Sequence, residues 1–178
     1  MAHSSTIFKV SLQVSDLDRH YYQTHNLTVA LHPSETELRM MVRILVFALN
    51  ASDELEFTKG ISTDEEPDLW IKTLTGDIDS WIEVGQPSLK RIKKASNQSN
   101  QIKVYTFSGR GADIWHKQNK ADFSKLDKLQ LINLPADQIE PLSHCVNRTM
   151  SLQCTIQEGT IWFGGAQHSV EVTPHVFD

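Results

Sequence analysis

Polar and apolar residues alternate twice near the start of the chain. Phe8, Val10, Leu12 and Val14 share one face of residues 6–15, and Leu27, Val29 and Leu31 share one face of 26–31. A period of two predicts strands. The polar stretch between them, with Asp16, Asp18, Asn26 and two tyrosines, predicts the return of a hairpin. The period then lengthens. Leu38, Met41, Val42, Leu45 and Leu49 recur at helical spacing, and Met40, Ile44 and Phe47 fill most of the remaining positions. A helix apolar nearly all round is a buried one. Ser34 with Glu37 three residues later reads as a capping box, which places the helix start at Ser34. The polar exception on this helix is a stripe of Glu35, Arg39 and Arg43, each four residues apart.

Further along, Asp64-Glu65-Glu66-Pro67 predicts a cap and an acidic first turn for a short helix over 67–73. Gly76-Asp77 predicts a turn and 78–84 a strand. Ile78, Ser80, Ile82 and Val84 lie on one face of that strand, and Asp79, Trp81 and Glu83 on the other. Ser88 caps a helix running to about 97. A strand over 102–107, a helix over 112–120, a strand over 129–134 and a helix near 136–146 follow. The last part, 149–157, 160–163 and 168–173, reads as an antiparallel meander with turns at Glu158-Gly159 and Gly164-Gly165. The strands at Lys103 and Leu129 flank a helix, the arrangement of a parallel crossover unit. The expected class is mixed α/β in a single domain over residues 1–178.

Composition narrows the function classes. The 178 residues carry 17 Lys and Arg against 22 Asp and Glu, a formal charge of −5, with 39% hydrophobic residues. That balance builds a core and excludes a disordered chain or a coiled-coil rod. An acidic whole also excludes an all-over basic coat, so a nucleic-acid surface has to be local. The two cysteines, Cys145 and Cys154, make neither a disulfide framework nor a zinc pattern, which suits a reducing cytoplasm. Residues 1–8 lack the pattern of a secretory signal, and the longest apolar run, Ile44 to Leu49, is too short to span a bilayer. No membrane partner is expected.

Chemistry concentrates in one segment. Asp79 and Glu83 project from one strand face, and a helix with four basic residues in five, Lys90, Arg91, Lys93 and Lys94, follows. Hard divalent cations take one or two carboxylates together with phosphate oxygens and water. A nearby lysine adds charge for a phosphate in transit. The plain alternative is a solvated strand face and an amphipathic helix. Phosphate-cradling glycine loops, dinucleotide fingerprints and nucleophile elbows are absent from the sequence, and the eight histidines are scattered.

Several blocks resemble the YaeQ family. They are His32-Pro33-Ser34-Glu35-Thr36 with Arg39-Met40-Met41, then Ile82-Glu83-Val84-Gly85 with Pro87, then Arg91-Ile92-Lys93-Lys94-Ala95. The late Arg148-Thr149-Met150 and Thr155-Ile156-Gln157 stretches, with Ile161-Trp162, agree with it. The resemblance spans nearly the whole chain. It implies a bacterial, cytoplasmic protein without an established activity. It also implies a fold similar to the PD-(D/E)XK nucleases. That is a restriction-endonuclease-like mixed sheet flanked by helices over about 32–135, with an added antiparallel sheet from the terminal strands.

The nuclease pattern implies two acids and a lysine around Mg²⁺ or Mn²⁺. Glu83 matches the Glu of Glu-x-Lys, but Gly85 stands where the lysine belongs. A migrated lysine on the following helix is then expected. At about 100° per residue, Leu89, Ile92 and Ser96 define its inward face, and Lys93 lies roughly 70° from the centre, closer than Lys94. Asp79 is the favoured second acid and metal ligand beside Glu83, although four strand residues span ~13 Å. Asp68 is the reserve, on the condition that 68–73 forms a strand and pairs back onto Glu83. Glu35 supplies an additional catalytic glutamate or is simply a helix-start anion paired with Arg39. Three functions stay open. They are a nucleic-acid or protein interaction module using Lys90, Arg91, Lys93 and Lys94, a Mg-dependent nuclease, and another enzyme using the same acidic cleft.

Overall fold

The computed structural model describes residues 4–59 and 65–178. In chain order its elements are β1 (Thr6–Asp16), β2 (Tyr21–Leu31), α1 (Glu37–Leu49), β3 (Leu55–Phe57), β4 (Leu69–Lys72) and β5 (Ile78–Val84). Then come α2 (Leu89–Gln98), β6 (Ser99–Thr106), α3 (Arg110–Phe123), β7 (Leu129–Asn133), α4 (Ala136–Ile139) and a 3₁₀ helix (Glu140–Cys145). β8 (Thr149–Gln157), β9 (Thr160–Gly164), β10 (Ser169–Val172) and β11 (His175–Val176) complete the chain. Among the described residues the strands form two mixed sheets, ordered β10-β9-β8-β1-β2 and β11-β7-β6-β5-β4-β3. The chain divides into two compact units, residues 1–51 with 135–174 and residues 52–134 with 175–178. The expected 32–135 core is therefore divided at Ala51, and α1 falls in the first unit.

In the first unit, β1 and β2 form the predicted hairpin, extended back to Tyr21. β8, β9 and β10 form the predicted meander. One register joins them: β1 runs parallel to β8, with Leu12 opposite Leu152, so the added sheet is mixed rather than purely antiparallel. Its inner face is the alternating apolar set of Phe8, Val10, Leu12 and Val14 with Met150, Leu152, Cys154 and Ile156, all buried. Helix α1 lies against β2 and the 3₁₀ helix, and every residue from Met40 to Ala48 is buried. It starts two residues later than the capping-box reading. Thr36 is the N-cap and its hydroxyl accepts from the Arg39 amide at 3.1 Å. Ser34 is held in the preceding turn instead, its hydroxyl 2.7 Å from His32 Nδ1 and its amide donating to that nitrogen.

In the second unit, β5, β6 and β7 run parallel, with α2 and α3 as the connections. Both helices pack on one face through Trp81, Ile92, Ala95, Ile102, Val104, Trp115, Phe123 and Leu131. The helix expected over 67–73 is not formed. Residues 69–72 are strand β4, antiparallel to β5, with Leu69 opposite Ile82. Its proposed cap, Asp64, lies outside the described residues. The strand wins because each side chain has a sheet partner. Leu69 is buried, and Trp70 packs edge-on against Trp81 at 6.5 Å and donates its indole N–H to Glu56. The hairpin closes through Thr73–Asp77, where Gly76 takes φ +90°, a conformation that glycine adopts without cost.

Candidate functional site

The β4–β5 register decides which acid meets Glu83. Asp68 stands immediately before β4, and its Oδ2 accepts from the Val84 amide at 2.8 Å. This sets Asp68 beside Glu83 at the adjoining ends of two neighbouring strands. Both are buried, Asp68 at 4% exposure and Glu83 at 5%. Glu83 Oε1 accepts from the Trp81 indole at 2.9 Å and from Arg91 Nε at 2.6 Å. Arg91 also donates from Nη2 to the Glu66 carbonyl at 2.7 Å, which fixes the guanidinium plane.

Helix α2 delivers that guanidinium. The Ser88 hydroxyl caps the helix by accepting from the Arg91 amide, and buried Ile92 and Ala95 lock its rotation. The electrostatics of the pair follow from burial. Removal from water pushes the Glu83 carboxyl above its ordinary value. Arg91 opposes that shift, the neighbouring Asp68 charge adds to it, and the Trp81 hydrogen bond works against it.

Gly85 has a backbone reason. It sits at φ +112°, and its amide donates to the Tyr105 carbonyl at 2.8 Å. A lysine there would meet open space for its Cβ, but it would be strained by the left-handed backbone. The cation comes from α2 instead, from Arg91 rather than Lys93. Lys93 is exposed and makes no ion pair among the described residues. Lys94 pairs with Glu65 at 3.0 Å in an exposed contact. Lys90, Arg91 and Lys94 line a cavity of about 310 Å³ together with Glu65 and Ser88.

The other expected residues lie elsewhere. Asp79 is half-buried on β5, four residues from Glu83, and its carboxylate accepts from Asn100 and Ser80 at 3.2 and 3.4 Å. Glu35 belongs to the first unit. Its Oε2 accepts from Arg39 at 2.7 Å and Arg43 at 2.8 Å, and its Oε1 from Arg43 at 2.7 Å. The structure brings together Glu83, Asp68 and Arg91. Arg91 was one of four cations on a basic helix in the sequence, and the missed signal was Ala95. A small residue counts toward a buried face as much as a large one.

In placement, Asp68 and Glu83 at adjoining strand ends suit one hard divalent ion better than Asp79 and Glu83, four residues apart on one strand. The fit has a competitor, because the Arg91 guanidinium already bonds Glu83. Among the described residues no group of three or more His, Cys, Asp or Glu side chains is arranged to hold a metal ion.

Fold and site define a class: a mixed α/β protein of two sheet-based units, with a buried glutamate that bonds an arginine from a basic helix and lies beside a buried aspartate. The family model described as YaeQ protein matches residues 1–174. The Escherichia coli K12 protein named "Uncharacterized protein YaeQ" is 40% identical over 172 residues, covering 97% of this chain and 95% of its own. A Salmonella typhi protein of the same name is also 40% identical over the same spans. The crystal structure of YaeQ protein from Xanthomonas axonopodis pv. citri superposes with a TM-score of 0.94 at 42% identity, covering 97% of this chain and 98% of that one. That of YaeQ protein from Pseudomonas syringae gives 0.92 at 32% identity, covering 98% and 96%. The chain belongs to the YaeQ family.

Proposed function

We propose that the second unit is a nuclease-like core that serves as a nucleic-acid interaction module, with Arg91 as its central phosphate contact. One observation carries this reading: the 2.6 Å bond from Arg91 Nε to buried Glu83, beside a cavity lined by Lys90, Arg91 and Lys94. Glu83 orients the guanidinium at a cavity that Lys90 and Lys94 also line, and positive charge gathered there suits a phosphate oxygen. The reading takes the chain to work in the cytoplasm, and the two free buried cysteines are consistent with that compartment. Nothing about the described helices argues for a membrane, since none is long and apolar enough to cross one.

A second reading, Mg²⁺- or Mn²⁺-dependent hydrolysis of phosphodiesters, is favoured by a different observation: Asp68 meets Glu83 at the strand ends. These two carboxylates would hold the ion, which would activate water and offset phosphate charge. Glu83 would then have to share its oxygens between the ion and Arg91. Fluorescence anisotropy with labelled DNA and RNA, followed by incubation with Mg²⁺ or Mn²⁺, separates the readings. The module predicts salt-sensitive binding and intact oligonucleotide. Metal-dependent cleavage that Glu83→Gln removes would establish the second reading, and failure to bind either polymer would reject both.

A further inference from the structure

We infer that His144 and His168, in the first unit, form a chelating site for a divalent transition-metal ion of the zinc class. His144 ends the 3₁₀ helix one residue before Cys145, and His168 lies in the loop before β10. Their ring centres are 5.7 Å apart with 38° between the planes. Two imidazoles on one tetrahedral ion, at zinc–nitrogen distances of about 2.0–2.1 Å, place their ring centres about 5–6 Å apart.

Both backbones are fixed while both side chains stay available. Leu142 and Cys145 are buried on either side of His144 and set the direction in which it points. The His168 carbonyl accepts from the Gly165 amide at 2.8 Å and from Cys145 Sγ at 3.4 Å. Gly164 permits this closure, since a Cβ there would run into that same carbonyl. The two imidazoles themselves are exposed, and among the described residues neither makes a hydrogen bond or an ion pair. Rigid backbone under uncommitted ligands lowers the ordering cost of chelation.

The rings border a cavity of about 500 Å³ whose lining includes Asn147, Thr149 and Gln167. An ion held by two protein nitrogens keeps open positions toward this neutral polar space, which water or a small donor ligand fills. Imidazole pairs select zinc, copper or nickel over magnesium or calcium. Cys145 is not counted as a ligand, because its thiol is spent on the His168 carbonyl.

The test is calorimetric titration of the full chain with Zn²⁺ near neutral pH. A single site is expected, weakened by at least about tenfold in both His144→Asn and His168→Asn. His20→Asn, in the exposed β1–β2 turn, should match wild type. Electron paramagnetic resonance of the Cu²⁺-loaded wild-type protein provides a readout independent of the variants and should show two nitrogen donors. No uptake, wild-type affinity in either single variant, or fewer than two nitrogen donors would overturn the site.

Discussion

Two buried glutamates hold arginines in this molecule, and they are built differently. Glu35 gives both carboxylate oxygens to two guanidiniums, with Arg39 and Arg43 following at helical spacing. Arg43 also donates to the Ala30 carbonyl, so the same pair ties the end of β2 to α1. One acid faces two bases. At Glu83 the ratio is inverted, since two acids, Glu83 and Asp68, share the field of one arginine. The first arrangement is saturated and acts as a latch. The second sets two buried carboxylates against each other, so a cation, a proton or a change at Arg91 alters it. Burial and ion pairing are common to both clusters; what sets Glu83 apart as a candidate is the repulsion of a second carboxylate and its raised carboxyl.

The largest expected effect lies at the latch. Replacing both Arg39 and Arg43 by Ala strands Glu35, whose side chain is 1% exposed, and should cost about 3–5 kcal/mol in denaturant unfolding. A cost below about 1 kcal/mol would remove the distinction between the two glutamates. The next effect is a pH dependence. The folded Glu83 carboxyl sits above its ordinary 4.5, so between those values the folded state binds more protons than the unfolded one. Its contribution to stability therefore falls as pH rises through that window. Glu83→Gln removes this slope, so the stability of the variant relative to wild type should increase with pH across it. A relative stability independent of pH would contradict the raised carboxyl. The smallest effect concerns helix entry. Thr36→Ala should cost about 1 kcal/mol as a lost cap. Ser34→Ala should cost less, and equal costs would contradict the observed cap.

Much of the architecture was legible in the sequence because period-two and period-3.6 patterns were long and unmixed. The β5 and β8 strands fall where alternation places them. Three features were hidden for separate physical reasons. The strand at 69–72 is too short to show a period, and its identity depends on Trp70 finding Trp81 across the hairpin. Local capping rules saw Ser34 and Glu37, but His32 competes for Ser34, and Thr36 takes the helix. On α2, the inward face drawn through Leu89, Ile92 and Ser96 leaned toward Lys93. Burial of Ala95 rotates that face toward Arg91. The acid placed beside Glu83 was hidden by the same strand error, since Asp68 reaches Glu83 only when β4 exists. Glu83 itself was found from its motif neighbourhood, and its burial was not apparent from alternation alone.

The most direct measurement compares two substitutions of equal charge on one helix. Arg91→Ala and Lys93→Ala each remove one positive charge from α2, and only Arg91 is held by Glu83. Nucleic-acid binding is read by fluorescence anisotropy at several salt concentrations, with circular dichroism confirming the fold of each variant. The module predicts a loss of about tenfold or more for Arg91→Ala, as for a positioned charge-assisted contact, and only a small loss for Lys93→Ala. Equal losses would reduce α2 to a diffuse basic surface, and unchanged binding in Arg91→Ala would contradict the assignment of the Asp68–Glu83–Arg91 cluster as the site.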